Sequence, residues 1–217
     1  MIGAARGWAA LTVAASVVGV IIQLAVVITG TSAIGADPPA TLDVRLWRFV
    51  SYFTIQSNLL VIVTVLPLIR NPQHDGRAWR VLRLAALVMI AVTGLVHWFL
   101  LRPLSTLTGP EAVGDVLVHV ATPVLTVIGW LVFGPRPRIA ARTVAWSLAW
   151  PIAWLLYTLV VGALTGWYPY PFLDVADQGV GPVALTCGAI TLLLTGLASA
   201  CWRLDRVLRR SDAPPGA

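Results

Sequence analysis

Residues 81–101 read VLRLAALVMIAVTGLVHWFLL, and Arg83 is the only charged side chain among them. A helix of this length rises about 1.5 Å per residue and covers the hydrocarbon core of a bilayer, which is about 30 Å thick. Similar apolar runs occur on both sides of it. The predicted transmembrane helices are near 8–28, 49–69, 81–101, 113–133, 143–162 and 182–202. The sequence therefore predicts an all-α bundle of six transmembrane helices forming one domain, 1–217.

The composition excludes a soluble globular domain. Hydrophobic residues make up 58% of the chain and charged residues only 11%, whereas about a quarter of the residues of a soluble domain are charged. A disulfide framework is excluded as well, because Cys187 and Cys201 are about four helical turns apart in one apolar run and their Cα atoms cannot come within roughly 7 Å.

The arginines predict the orientation in the membrane. Short cytoplasmic loops retain positive charge, and twelve of the 15 basic residues fall on one side of the predicted bundle. These are Arg6, Arg70, Arg77, Arg80, Arg83, Arg136, Arg138, Arg142, Arg203, Arg206, Arg209 and Arg210. Only Arg45, Arg48 and Arg102 fall on the other side. Both termini are therefore predicted to be cytoplasmic, and the first, third and fifth loops to face outward.

The same distribution bears on partners and localisation. The arginines lie in short segments between membrane-length runs, which indicates a topological role and not nucleic-acid binding. The basic segment 203–210 is predicted to lie along the anionic inner leaflet.

Small residues at 33–36 resemble a signal-peptide cleavage site, but the first apolar run is too long for an h-region, so an uncleaved helix is expected. All basic residues are Arg and Ala is abundant, which favours a multi-pass protein of a bacterial inner membrane.

Polar side chains collect near the predicted outer ends of several helices. Such residues are costly in a bilayer and usually face the bundle interior. Those predicted to line an outward-facing pocket are Thr54, Ser57, Asn58, His97, His119, Thr122, Trp167, Tyr168 and Tyr170. The inner halves of the same helices are almost purely aliphatic. The asymmetry predicts a binding site close to the outer leaflet.

Three short motifs carry a resemblance to a known family. They are YFTIQSN at residues 52–58, HVATP at residues 119–123 and WYP at residues 167–169. In this order and spacing the chain resembles the androgen-induced-gene family of integral-membrane threonine hydrolases and their bacterial six-helix relatives. The resemblance implies hydrolysis of esters between fatty acids and hydroxy fatty acids, with Thr54 as the nucleophile and His119 as its base. Membrane lipids and a lipid ester are then the expected partners.

The chemistry of these residue types agrees with that expectation. A hydroxyl becomes a competent nucleophile when an adjacent base takes its proton, and neutral imidazole is suited to this near neutral pH. Asn58 or Ser57 could donate a hydrogen bond to the developing oxyanion. No carboxylate is expected inside a span to complete a triad, so another group is expected to orient His119. No metal or cofactor is predicted.

Two other classes of function fit the same residues. His97 and His119 on successive helices could ligate a haem or a metal ion from two sides, although two histidines alone make an incomplete zinc or copper site. The outward pocket could instead serve ligand or partner recognition in a non-catalytic membrane protein or a small transporter. Transporters usually carry charged groups or broken helices at the midplane, and the sequence shows neither.

Overall fold

The structure is a computed structural model that describes residues 1–30, 40–104 and 107–208. The segment 33–36, which resembles a cleavage site, and Arg209 and Arg210 of the basic tail lie outside the described residues. Within the described ranges the chain is helical, without strands. The α-helices are α1 (Ile2–Thr29), α2 (Leu42–Ser51), α3 (Phe53–Arg70), α4 (Arg77–Val96), α5 (Gly109–Val116), α6 (Thr122–Phe133), α7 (Ala141–Ser147), α8 (Ala149–Thr165), α9 (Val175–Gln178) and α10 (Val180–Val207).

Two π-helical turns join some of these helices into longer ones. His97–Leu101 continues α4, and Leu117–Ala121 joins α5 to α6. Short 3-10 turns follow at Arg102–Leu104 and Pro171–Leu173. The described residues thus contain six helices long and apolar enough to cross a membrane, as the sequence predicts. They are Ile2–Thr29, Phe53–Arg70, Arg77–Leu101, Gly109–Phe133, Ala141–Thr165 and Val180–Val207.

Helices α3 and α4 form the centre of the bundle. They pack against each other, α1 covers α3, α5 and α6, and α4 also contacts α6, α7 and α10. Residues 84–90 of α4 are all buried. Side chains on the periphery are large, apolar and exposed, such as Leu164 on α8 and Leu185 and Leu192 on α10. The bundle therefore presents a hydrocarbon surface to its surroundings, which is the surface that lipid solvates.

The second predicted span differs from the structure at its start. Residues 49–51 belong to α2, and the backbone at Tyr52 is extended, with φ −66° and ψ 132°. Local contacts hold this break: the Trp154 indole donates to the carbonyl of Ser51, at 2.8 Å, and the Ser51 and Tyr157 hydroxyls lie 2.8 Å apart. Helix α3 consequently starts afresh at Phe53, and Thr54 lies in its first turn.

The two ends of the bundle carry different groups. We call the end formed by the last turn of α1, the start of α3 and the loop 166–174 the Thr54 end. We call the opposite end, formed by the loops 71–76 and 134–140, the Arg83 end. Both π-helical turns lie at the Thr54 end.

Candidate active site

Thr54 and His119 are neighbours in the structure. The Thr54 Oγ1 lies 3.0 Å from the His119 Nε2. Thr54 is held in the first turn of α3, and His119 is in the middle of the π-helical turn Leu117–Ala121. The pair that the family resemblance implies is thus at hydrogen-bonding distance, as a nucleophile and its general base must be.

Asp115 supplies the third group, which corrects the sequence prediction. Its Oδ1 lies 2.8 Å from the His119 Nδ1. No carboxylate is expected inside a span from the sequence, yet Asp115 falls within the predicted span 113–133 and lies in helix α5, which begins at Gly109. The spacing carries the signal that was missed, because residues i and i+4 of a helix share one face. His119 is therefore oriented by a carboxylate within the membrane-length helix.

This chain of contacts determines which atoms carry protons. An ionised carboxylate only accepts hydrogen bonds, so the His119 Nδ1 must be the protonated nitrogen facing Asp115. The Nε2 of the neutral ring then accepts a hydrogen bond, and the Thr54 hydroxyl donates it. This is the protonation pattern in which the imidazole can take the threonine proton.

His97 lies directly against the same cluster. Its ring stacks on that of His119 with centroids 4.1 Å apart and planes 8° apart, and its Nε2 is 3.4 Å from the Asp115 Oδ2. Two axial histidines of a haem must point their nitrogens at the iron from opposite faces of a porphyrin. Parallel rings at stacking distance leave no space between them for a porphyrin, so the pair does not have the geometry of that alternative.

The cluster also contains a donor set for a smaller ion. Ligand atoms of His97, Asp115 and His119 all lie within 4.8 Å of one another, and two imidazoles with one carboxylate occur in zinc and non-haem iron sites. Ligands at about 2.0–2.1 Å from a tetrahedral ion are about 3.3 Å apart. The 2.8 Å between Asp115 and His119 is a hydrogen-bond distance. An ion would require these two side chains to separate.

Tyr170 is the one aromatic residue of the predicted loop that reaches Thr54. Its hydroxyl lies 3.4 Å from both the Oγ1 and the backbone N of Thr54. Burial raises the pKa of Tyr170 to about 12, so the phenol stays protonated and able to donate. A hydroxyl donor beside the Thr54 Oγ1 is of the kind that can bind a developing oxyanion.

Ser57 and Asn58 do not have the oxyanion role expected from the sequence. The Ser57 hydroxyl and the Asn58 amide both donate to the Thr54 carbonyl, at 2.9 and 2.8 Å. Asn58 also donates to the carbonyl of Val118, at 3.2 Å, and accepts from Ser16, at 3.0 Å. Their polar groups are used to fix α3 against α1 and the turn that carries His119. They hold the backbone of Thr54 in place.

Three other predicted residues do not touch Thr54. Trp167 packs on α2, where its ring centroid is 5.1 Å from that of Trp47. Tyr168 covers Gly162, which leaves no space for a Cβ there. The Thr122 hydroxyl is fully buried and has no hydrogen-bond partner among the described residues. In the structure these side chains pack around the site and do not line the space next to the Thr54 hydroxyl.

An apolar groove leads from Thr54 toward the side of the bundle. It contains about 560 Å³ of empty space, part of it open to the surroundings. Helices α8 and α10 each pack on α4 but have little contact with one another, and the groove lies between them. Residues along its walls are Thr54, Val92, Val96, Leu155, Ile190 and Leu194. Ile152, also on its wall, is 42% exposed, so the groove reaches the hydrocarbon surface of the bundle.

Comparisons of the chain with models of known protein families, with curated proteins and with solved structures found no match.

Proposed function

We propose that this protein is an intramembrane hydrolase of a lipid ester, with Thr54 as the nucleophile, His119 as the general base and Asp115 as the residue that orients His119. The observation that carries the proposal is the continuous hydrogen-bonded chain from Thr54 through His119 to Asp115, next to an apolar groove. The substrate class is an ester of a fatty acid with a hydroxy fatty acid or a similar lipid.

The reaction follows from these positions. His119 Nε2 takes the proton of Thr54 as Oγ1 attacks the carbonyl carbon, and the Tyr170 hydroxyl donates to the resulting oxyanion. Collapse of this intermediate expels the alkoxide, which takes the proton from His119 and leaves an acyl-threonine. A water then gives its proton to His119 and attacks the acyl group. Free fatty acid leaves, and Thr54 recovers its hydrogen.

The surroundings of Thr54 favour a lipid over a water-soluble ester. The groove is lined almost entirely by aliphatic and aromatic side chains, and burial of each CH₂ stabilises a bound chain by about 0.8 kcal/mol. A substrate dissolved in the bilayer could enter sideways between α8 and α10. With the arginine bias placing both termini in the cytoplasm, the Thr54 end would lie at the outer leaflet of a bacterial inner membrane.

The proposal is tested by hydrolysis of a fatty-acid ester of a hydroxy fatty acid in nanodiscs, with release of free fatty acid followed by mass spectrometry. We expect the purified protein to release fatty acid in excess chelator as well, because no step of the reaction requires a metal ion. Metal content is measured on the same sample. No release from several lipid esters would support the non-catalytic interpretation, in which the groove binds a ligand. Activity lost with the chelator and restored by one metal per chain would instead assign the cluster to an ion.

The length of the groove gives a second test. Leu155→Trp is expected to shorten it and to lower kcat/KM for a long-chain ester about fifteenfold, since excluding two methylenes costs about 1.6 kcal/mol. Cleavage of an acetate ester should change little. Leu156→Trp is the matched control, because Leu156 is 60% exposed on the outside of α8. Equal losses for long and short esters would show that the groove does not hold the acyl chain.

A further inference from the structure

A second cavity lies at the Arg83 end and is separate from the candidate active site. It encloses about 770 Å³ of empty space, part of it open to the surroundings, and its walls include Trp8, Trp79, Trp130, Arg80, Arg83 and Arg138. Along α4, Arg83 precedes His97 by a rise of about 21 Å at 1.5 Å per residue. The cavity therefore takes no part in the chemistry at Thr54.

Arg83 has no counter-charge among the described residues. Its Nη1 is buried and has no hydrogen-bond partner there. Neither nearby acid pairs with Arg83: Asp75 pairs with Arg80 at 2.6 Å and with Arg138 at 2.8 Å. The Asp205 Oδ2 accepts hydrogen bonds from the backbone of Arg138 and Ile139, and its Oδ1 is buried without a hydrogen-bond partner among the described residues. Of the three arginines on the cavity wall, Arg83 is thus the one without an ion pair in the described part of the chain.

An unpaired guanidinium in this position is unfavourable without a ligand. Arginine stays protonated in proteins, and a charged side chain at membrane depth normally finds a partner of opposite charge. A second polar atom on the cavity wall, the Thr126 Oγ1, is also buried without a hydrogen-bond partner in the described part of the chain. The Arg83 guanidinium and the Thr126 hydroxyl are both hydrogen-bond donors, so a ligand that satisfies them is an acceptor carrying negative charge.

The apolar part of the cavity wall indicates the chemistry of the rest of the ligand. Leu68, Leu125 and Phe133 line the cavity and are partly exposed, as are the indole rings of Trp8 and Trp79. A small inorganic anion would leave this apolar surface facing water, whereas an acyl chain would cover it. The cavity thus combines a cationic group with a hydrocarbon wall, which is complementary to an amphiphile.

We propose that the cavity at the Arg83 end binds an anionic phospholipid, with the phosphate paired to Arg83 and an acyl chain against Leu125 and Phe133. A guanidinium can bind a phosphate through two parallel N–H donors. The site is independent of the proposed hydrolase activity, and it would fix one lipid of the leaflet on that side in the bundle.

The test is native mass spectrometry of the full chain in detergent, titrated with phosphatidylglycerol, phosphatidylcholine or inorganic phosphate. We expect phosphatidylglycerol to bind at least tenfold more tightly than phosphatidylcholine, and inorganic phosphate not to displace it at millimolar concentration. Arg83→Gln should weaken the binding of phosphatidylglycerol tenfold to a hundredfold, since hydrogen bonds to charged groups contribute about 1.5–3 kcal/mol. Arg77→Gln, an equal change of charge at an exposed position of α4, should change it less than threefold.

Arg83→Lys keeps the positive charge, and it tests the same site if Arg83→Gln does not fold. It should weaken binding to an intermediate extent, because the ammonium lacks the paired donors of arginine. Equal affinity for the two lipids, or equal losses in the Arg83 and Arg77 variants, would overturn the proposal. So would displacement of the lipid by inorganic phosphate, which would assign the site to a free anion.

Discussion

Thr54→Ala is expected to lower kcat/KM for lipid-ester hydrolysis about a thousandfold or more, because it removes the atom that forms the covalent intermediate. His119→Ala should cause a loss of similar size. Groups that act as one unit give non-additive losses, so the double variant should be no worse than either single one. The rate of fatty-acid release in nanodiscs measures all three.

The control for this experiment lies on the same helix. Thr64 is also buried in α3, and its hydroxyl donates to carbonyls of its own helix, those of Leu60 at 2.8 Å and Val61 at 3.4 Å. Thr64→Ala should retain activity, and Thr54→Ser should retain part of it because a hydroxyl remains near His119. Unchanged hydrolysis in Thr54→Ala, with helicity and elution volume like those of the wild type, would exclude Thr54 as the nucleophile.

Asp115→Asn is expected to lower kcat by up to about ten thousandfold, the loss that the same change of the orienting carboxylate causes in a serine protease. The asparagine amide can donate to the His119 Nδ1, which then favours the tautomer with the proton on Nε2. That nitrogen can no longer take the proton of Thr54. KM should change little, because Asp115 faces the two histidines and not the groove.

Asp177→Asn serves as the matched control, since Asp177 is an exposed acid at the same end of the bundle. A loss in Asp115→Asn that is matched by Asp177→Asn would point to a general effect of charge. The metal content of Asp115→Asn distinguishes a carboxylate that orients His119 from one that binds an ion. Loss of a bound ion together with activity would contradict an orienting role acting through His119 alone.

The sequence predicts the six helices well because bilayer thickness fixes the length of an apolar run. It also predicts that Thr54 and His119 lie at one depth, and the structure places them 3.0 Å apart. The break at Tyr52 was not predicted, since apolar residues continue through it and the break depends on Trp154 and Tyr157 from a distant helix. Long-range contacts of this kind leave no local pattern.

The details of the site were harder to predict than its location. Asp115 lies inside the predicted span 113–133, and its role beside His119 could be predicted only from the spacing of four residues between them. Ser57 and Asn58 lie on α3 as predicted, but in the structure their donors are bonded to the Thr54 carbonyl. Which face of a helix meets a ligand depends on how its neighbours pack, and their hydrogen bonds to the Thr54 carbonyl show that this face is occupied.

The two π-helical turns have an evolutionary consequence. A π-helical turn contains one residue more than an α-helical turn, and each extra residue rotates the side chains on one side of it by about 100° relative to those on the other. Both turns carry a histidine of the cluster, His97 in one and His119 in the other. A single-codon deletion within Leu117–Ala121 would therefore rotate α5, which carries Asp115, relative to α6 and change which side chains share a face with His119.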